Sequence, residues 1–191
     1  SAISRWDGGD PPAYLGDTTS ALPYQLLDSP RVLILGAGTG ADVLQAILHG
    51  AASIDAVELD PGMAALVRDR FAAYGGPVFD HPRVRLHIGE ARGFAARSPE
   101  RYDLVQIGLL DSFAVSGSGV QALNENYLYT AEAIRDYMQL LNPGGLLSIT
   151  RWLRIPPRDS LKLVNTTVKA LEHAGVPDPA GQLAMIRGWS T

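Results

Sequence analysis

Short apolar segments alternate with amphipathic segments along most of the chain. Val32–Leu35 is continuously apolar between Pro30 and Gly36, which is typical of a strand buried on both faces. A segment with helical spacing follows and ends at Gly50, a natural helix terminus. The same criteria predict strands at 32–35, 53–58, 83–88, 102–107 and 146–152, and helices at 21–27, 41–49, 61–73, 130–141 and 159–173.

Alternation of strands and helices through short links predicts one parallel sheet with helices on both faces. Residues 83–88 alternate strictly between polar and apolar, which places that strand at an edge. We therefore predict an α/β fold with a doubly wound Rossmann-like sheet of strand order 3-2-1-4-5, with weaker strand signals at 13–15 and 183–187. Residues 1–30 form a short lead-in segment, and residues 31–191 form the domain itself.

A glycine-rich turn after the first strand is the strongest indication of a ligand. Glycines permit a tight turn and let a ligand lie against main-chain amides. Glu58 ends the second strand 18 residues after Gly40, the separation that one helix and one strand require. Its carboxylate can accept both hydroxyls of a ribose, although a solvated strand end is the alternative. We predict a nucleoside site beside strand one that includes Glu58 and the turn residues Gly36, Ala37, Gly38, Thr39 and Gly40.

Other features favour S-adenosylmethionine over a dinucleotide. The glycine spacing is G-x-G-x-G, whereas dinucleotide sites have G-x-G-x-x-G. Glu58-Leu59-Asp60 ends strand two, and Glu90-Ala91 follows strand three, where an acid can accept the adenine amino group. Asn142-Pro-Gly-Gly145 precedes strand five. Asp60 also fits a helix cap and Glu90 a charge at a helix N-terminus, so both retain a structural alternative.

Composition narrows the classes of function. The net charge of −4 gives no electrostatic reason to expect nucleic acid as a partner. The chain has no cysteine, and its four histidines lack ligand spacing, so no metal is expected. We find no signal peptide and no apolar run near the roughly 20 residues of a membrane span. We therefore expect a cytoplasmic location and no membrane contact by this segment.

Several stretches match the motifs of one enzyme family. Ile34-Leu-Gly-Ala-Gly-Thr-Gly40 is similar to a glycine motif that usually reads G-G-G-D-G. Tyr102-Asp-Leu-Val-Gln-Ile-Gly-Leu-Leu-Asp111 is similar to Y-D-[VL]-I-[IL]-x-D-x-x-D-P. Asp7-Gly8, Leu22-Pro-Tyr24-Gln25 and Leu128-Tyr-Thr match shorter elements. Over about residues 7–152 the chain thus resembles the class I S-adenosylmethionine-dependent methyltransferases, and within them the spermidine synthases, which are aminopropyltransferases.

The resemblance implies roles for further residues. Asp111 corresponds to a ligand of the substrate amine, and with Tyr24 it makes the implied catalytic pair. Gln25 and Gly108 join the implied cofactor site, which takes S-adenosylmethionine or its decarboxylated form. The implied partner is a small-molecule acceptor, and a homodimer is left open. A methyltransferase-type sheet carries one more strand after Thr191, so we expect the C-terminal end to be truncated.

The sequence departs from the family at three aligned positions. Gly108 stands where the family has an aspartate implicated in deprotonating the attacking amine. Thr39 stands where an aspartate holds the amino group of the cofactor tail, and Leu26 replaces a glutamate. A polycationic acceptor requires an acidic channel, so the loss of three acids leaves the reaction class open.

Three hypotheses follow. The first is a spermidine synthase-like transferase that acts on a small molecule with the usual catalytic aspartate replaced by Gly108. The second is an S-adenosylmethionine-dependent methyltransferase on the same sheet. The third is a non-catalytic nucleoside-binding domain, the soluble part of a larger membrane-anchored protein.

Overall fold

A five-stranded parallel sheet forms the centre of the molecule. The computed structural model describes residues 3–109, 127–153 and 155–188. Hydrogen bonding orders the strands β3-β2-β1-β4-β5, as the sequence predicts, with β3 at an edge. The strands are β1 Arg31–Leu35, β2 Ser53–Glu58, β3 Val84–Ile88, β4 Tyr102–Ile107 and β5 Leu141–Ile149.

Helices cover both faces of this sheet. They are α1 Leu22–Leu26, α2 Ala41–Leu48, α3 Pro61–Ala65, α4 Ala72–Gly75, α5 Ala91–Arg97, α6 Ala131–Gln139 and α7 Arg158–His173. Short 3₁₀ turns lie at Ala13–Asp17, Thr19–Ala21, Val78–Asp80 and Ala180–Gln182. One face of the sheet packs on α2 and the lead-in segment, and the other packs on α5 and α6.

Two predicted elements differ from the structure near the ends of the chain. The strand expected at 13–15 is wrong, because Ala13–Asp17 forms a 3₁₀ turn. Only Leu15 of that turn is buried, whereas Tyr14 is exposed. The strand expected at 183–187 is also wrong, since those residues form no regular element and are exposed.

Three boundaries also differ. The helix predicted over 61–73 is broken, because a π-helical segment at Leu66–Arg70 follows α3 and ends at Phe71. Strand β5 begins at Leu141 because Leu141 pairs with Tyr102 at the start of β4, and a register shift follows before Leu146 pairs with Leu104. Helix α7 begins at Arg158, and neither Asp159 nor Ser160 caps it.

A charged cluster links the interior strand β2 to the edge strand β3. The Asp55 side chain on β2 is 3% exposed and accepts hydrogen bonds from Arg85 Nε and Nη2 at 2.9 and 2.7 Å. His87 Nε2 lies 2.7 Å from Asp55 Oδ1, and the Tyr102 hydroxyl donates to Oδ2 at 3.2 Å. Burial raises the pKa of Asp55, but the hydrogen bonds from Arg85 and His87 outweigh it and hold the pKa below its usual value.

None of the helices in the described part of the chain is both long and apolar enough to span a bilayer.

Candidate functional site

The glycine turn joins β1 to α2 at the carboxyl end of the sheet. Gly36, Gly38 and Gly40 have φ values of 87°, 51° and 89°, in the left-handed region that favours glycine. The amides of Gly36 and Ala37 both donate to the carbonyl of Val57 at 2.9 Å, which ties the turn to β2. The predicted turn is therefore present, and main-chain hydrogen bonds hold its shape.

Two of these glycines serve different purposes. A Cβ atom on Gly40 would lie 3.0 Å from the methyl groups of Val78, so close packing as well as φ requires glycine there. A Cβ atom on Gly38 would meet nothing within 4 Å. Gly38 thus borders open space above the turn, and its positive φ alone favours glycine there.

Glu58 closes this turn from the neighbouring strand. The side chain lies at the end of β2, and the residue is 8% exposed. Its Oε2 accepts a hydrogen bond from the amide of Gly38 at 2.7 Å, and its Oε1 accepts one from the amide of Asp60 at 2.8 Å. Because an ionised carboxylate accepts about four hydrogen bonds, both oxygens retain a lone pair for a hydroxyl. A solvated strand end does not describe this side chain.

The acids that follow β2 and β3 both cap helices. Asp60 Oδ1 accepts from the amide of Gly62 at 2.8 Å at the start of α3. Glu90 accepts from the amides of Arg92 and Gly93 at 2.8 and 2.5 Å at the start of α5. The structural alternatives are thus observed, while ligand contacts by Leu59, Asp60, Glu90 and Ala91 stay predictions. Leu59 is 59% exposed.

A chain of side-chain hydrogen bonds connects the lead-in segment to the end of β4. The Tyr24 hydroxyl donates to Gln106 Oε1 at 2.6 Å, and Gln106 Nε2 donates to Asp42 Oδ1 at 2.9 Å. Gln106 is fully buried on β4, and Asp42 lies in the first turn of α2. The amide thus joins a phenol and a carboxylate that belong to separate elements.

Tyr24 is held as a neutral hydrogen-bond donor. It is 5% exposed, and its ring stacks on His49 at a centroid distance of 5.2 Å. Burial raises the pKa of Tyr24 well above its usual value, and the nearby charge of Asp42 raises it further. The catalytic role expected of Tyr24 stays a prediction, as does the cofactor contact of its exposed neighbour Gln25.

Asp42 fills the space beside Gly108. A Cβ atom on Gly108 would collide with Asp42 Oδ2 and would lie 3.7 Å from the carbonyl oxygen of Gly36. Burial raises the pKa of the Asp42 carboxyl, although the hydrogen bond from Gln106 lowers it in part. Asp111, the other predicted catalytic residue, lies outside the described residues.

The structure thus brings the glycine turn, Glu58 and Gly108 together at the carboxyl ends of the strands. It also places Asp42 there, a residue that the sequence analysis did not select. One signal was available, because the polar Gln106 inside an apolar strand requires a buried partner. Leu35 pairs with Ile107, so the first turn of the helix after β1 starts beside the end of β4. Asp42 is the acid in that turn.

Comparison with known proteins gives the chain a family context. The family model described as the spermine/spermidine synthase domain matches residues 21–167. The spermine synthase of Arabidopsis thaliana is 30% identical over 175 residues, which are 86% of this chain and 46% of that protein. A polyamine aminopropyltransferase from Korarchaeum cryptofilum is 31% identical over 122 residues, which are 63% of this chain and 35% of that protein. The chain therefore spans less than half the length of these relatives.

Solved structures support the fold. A spermidine synthase in complex with the transition state analogue AdoDATO superimposes with a TM-score of 0.60 at 19% identity, covering 84% of this chain and 49% of the other. The spermidine synthase from Thermotoga maritima also gives a TM-score of 0.60, at 18% identity, covering 84% of this chain and 50% of the other.

Proposed function

The chain belongs to the spermine/spermidine synthase family, and we propose that it transfers an aminopropyl group from decarboxylated S-adenosylmethionine to a small amine. The two relatives reported above are named a polyamine aminopropyltransferase and a spermine synthase, and this supports the reaction class. The chain covers under half of their length, so we propose this activity for the whole protein of which these residues form a part or the whole.

The observation that carries the proposal is the arrangement of Glu58 and the glycine turn. A nearly buried carboxylate, hydrogen-bonded on both oxygens by main-chain amides, cannot swing away into solvent. It therefore presents its remaining lone pairs in fixed directions beside the open space above Gly38. A ribose with two adjacent hydroxyls matches a carboxylate held in this way.

The chemistry of the transfer requires positioning above all. The neutral nitrogen of the acceptor attacks the sulfonium-bound methylene of the aminopropyl group, and that carbon–sulfur bond breaks with its electron pair going to sulfur. The products are methylthioadenosine and an aminopropylated amine, which carries one positive charge from the former sulfonium. Since the leaving thioether is neutral, in-line geometry supplies much of the rate acceleration. The acceptor must first lose the proton that it carries as an ammonium ion.

Calorimetry with both donor nucleosides tests the proposal. We expect decarboxylated S-adenosylmethionine to bind more tightly than S-adenosylmethionine, because aminopropyl transfer uses the form without the carboxylate. Incubation with 1,4-diaminobutane should then yield methylthioadenosine, detected by chromatography. A clear preference for the carboxylated form, together with methylation of an amine, would replace this function with methyl transfer. If neither nucleoside binds, the proposed transfer is wrong and a non-catalytic domain is supported.

Replacing Glu58 with glutamine is expected to weaken nucleoside binding about tenfold, because charge-assisted hydrogen bonds to the ribose are lost. The comparison should be repeated with the 2′-deoxy form of the nucleoside. If Glu58 binds the ribose, the penalty of E58Q becomes smaller for the deoxy ligand.

A matched control separates this effect from a general loss of structure. Glutamine offers one acceptor oxygen to two main-chain donors, so E58Q also loosens the turn, and its melting temperature must be measured alongside. Glu100 forms an ion pair with Arg31 at the opposite end of β1, so E100Q should leave affinity unchanged. Equal penalties for the ribose and deoxyribose ligands would show that Glu58 only shapes the turn.

A further inference from the structure

We propose that Asp42 is the catalytic carboxylate of this domain, which binds the acceptor amine and removes its proton. The proposal rests on the function proposed above and names a residue for a step that Gly108 cannot perform. The negative charge that an aspartate at position 108 would place after β4 is thus supplied by Asp42 in the first turn of α2.

Asp42 is positioned by the glycine turn that precedes it and by one side chain of β4. Helix α2 begins directly after the glycine turn, so the place of its first turn follows from the turn geometry. Gln106 on β4 then donates to Asp42 Oδ1 at 2.9 Å. The hydrogen bonds among described residues use Oδ1 and leave Oδ2 to point along Gly108.

Oδ2 occupies the volume in which a side chain at position 108 would begin. Any Cβ atom on Gly108 collides with this oxygen. The φ of Gly108 is not positive, so backbone strain does not require glycine there, and a side chain would instead force the Asp42 carboxylate to move. The acid therefore reaches the carboxyl end of β4 from the neighbouring helix.

The surroundings favour a carboxylate that accepts a proton. Burial raises the pKa of Asp42, and a carboxyl group with a raised pKa is a stronger base than a solvated one. Tyr24 stays protonated and donates to Gln106, so the chain of hydrogen bonds runs toward Asp42 and orients its carboxylate, although the bond from Gln106 offsets part of the rise in pKa. The same carboxylate offers a counter-charge for an ammonium ion.

A purely structural role is the alternative. An acid in the first turn of a helix interacts favourably with the helix dipole, typically by about 0.3–1 kcal/mol. That role requires neither a buried amide directed at the carboxylate nor a glycine that makes room for it. Both are present at Asp42.

The acceptor ammonium gives one proton to Asp42 Oδ2, which leaves a neutral amine and a protonated carboxyl. The amine lone pair forms the new carbon–nitrogen bond as the carbon–sulfur bond breaks toward sulfur. The carboxyl then releases its proton to water, so the net products are methylthioadenosine, the aminopropylated ammonium ion and one proton.

Two substitutions of Asp42 test the assignment directly. With decarboxylated S-adenosylmethionine and 1,4-diaminobutane, we expect D42N to lose about 100-fold or more in kcat, the usual contribution of a general base. D42E keeps the charge but is crowded by Gly108, and it should recover part of that loss. D159N, on the exposed surface of α7, is the matched control and should keep the rate of the unchanged protein. D42N with an unchanged rate would overturn the proposal.

Relocating the acid provides the second test. G108D alone should be inactive and destabilised, because its side chain collides with Asp42. In the double variant D42A/G108D the collision is gone and the carboxylate comes from β4, so the rate should rise at least about tenfold above that of D42A. A double variant that folds and stays as inactive as D42A would contradict the proposal that a carboxylate at this position acts as the base.

Binding keeps the proposal testable even if no transfer occurs. Should the unchanged protein make no methylthioadenosine, the proposed function fails, and calorimetry with 1,4-diaminobutane alone then decides the role of Asp42. A diamine that binds the unchanged protein about tenfold more tightly than D42N supports an amine ligand. If the diamine does not bind the unchanged protein, or binds it and D42N equally, the role of Asp42 as an amine ligand is overturned.

Discussion

Replacing Asp55 with asparagine is expected to lower the free energy of unfolding by about 2–3 kcal/mol. The carboxylate accepts from four donor groups on Arg85, His87 and Tyr102, whereas asparagine turns an N–H group toward some of them. Arg85 is more than half exposed and can return to water, which keeps the loss below that of a fully buried pair. Urea denaturation of both proteins at neutral pH measures the difference.

The effect of D55N should depend on pH. Because the pKa of Asp55 is lowered by folding, its stabilising contribution is complete above the unfolded value of about 3.9 and disappears as the pH falls through the lower folded value. The stability difference between the two proteins should therefore shrink as the pH is lowered below about 4.

Asp80 provides the matched control for D55N. It also pairs with an arginine, Arg68, but its side chain is 56% exposed, so D80N should cost less than about 1 kcal/mol. If D55N and D80N cost the same, burial of the Asp55 carboxylate does not stabilise the sheet. A pH-independent cost of D55N would likewise contradict the charge-based explanation.

Replacing Gln106 with leucine is expected to cost about 2–4 kcal/mol of stability, although leucine suits an apolar strand. The substitution leaves the buried Tyr24 hydroxyl and one oxygen of Asp42 without their partner, and an unsatisfied buried polar group costs about 1–3 kcal/mol. Gln139 is exposed on α6, so Q139L should change stability by no more than about 0.5 kcal/mol.

A double-mutant cycle identifies the hydrogen bond as the cause. Y24F alone leaves Gln106 Oε1 unpaired, and Q106L alone leaves the phenol unpaired. The variant Y24F/Q106L removes both groups, so its cost should be smaller than the sum by about 1 kcal/mol. Strictly additive costs would show that packing, not the Tyr24–Gln106 bond, determines the loss.

Patterns that depend on a periodic core were predictable from the sequence. The bounds of β2 and β4 match the prediction, since both strands are buried runs that end at turns or loops. The edge position of β3 followed from its alternation, which reflects one wet face. Glycine conformation in the turn was predictable for a local reason, because only glycine adopts those φ values readily.

Features that depend on tertiary contacts were not predictable from the sequence. The start of β5 at Leu141 arises from pairing with Tyr102 across a bulge, which no local propensity indicates. The change to a π-helix after Ala65 and the end of the helical run at Phe71 leave apolar residues at helical spacing, so periodicity alone predicts an uninterrupted α-helix. In the candidate site, the sequence around Asp42 indicates only an acid in the first turn of a helix, because its contact with Gly108 joins distant parts of the chain.

The contact between Gly108 and Asp42 also restricts the order in which these two positions can change. While aspartate occupies position 42, a side chain at position 108 meets its Oδ2 atom, so a substitution there displaces the carboxylate from the position in which Gln106 holds it. Once position 42 carries alanine, position 108 becomes permissive. The two sites are therefore epistatic: an acid can move from the helix to the strand only through an intermediate that has neither, or one in which both collide.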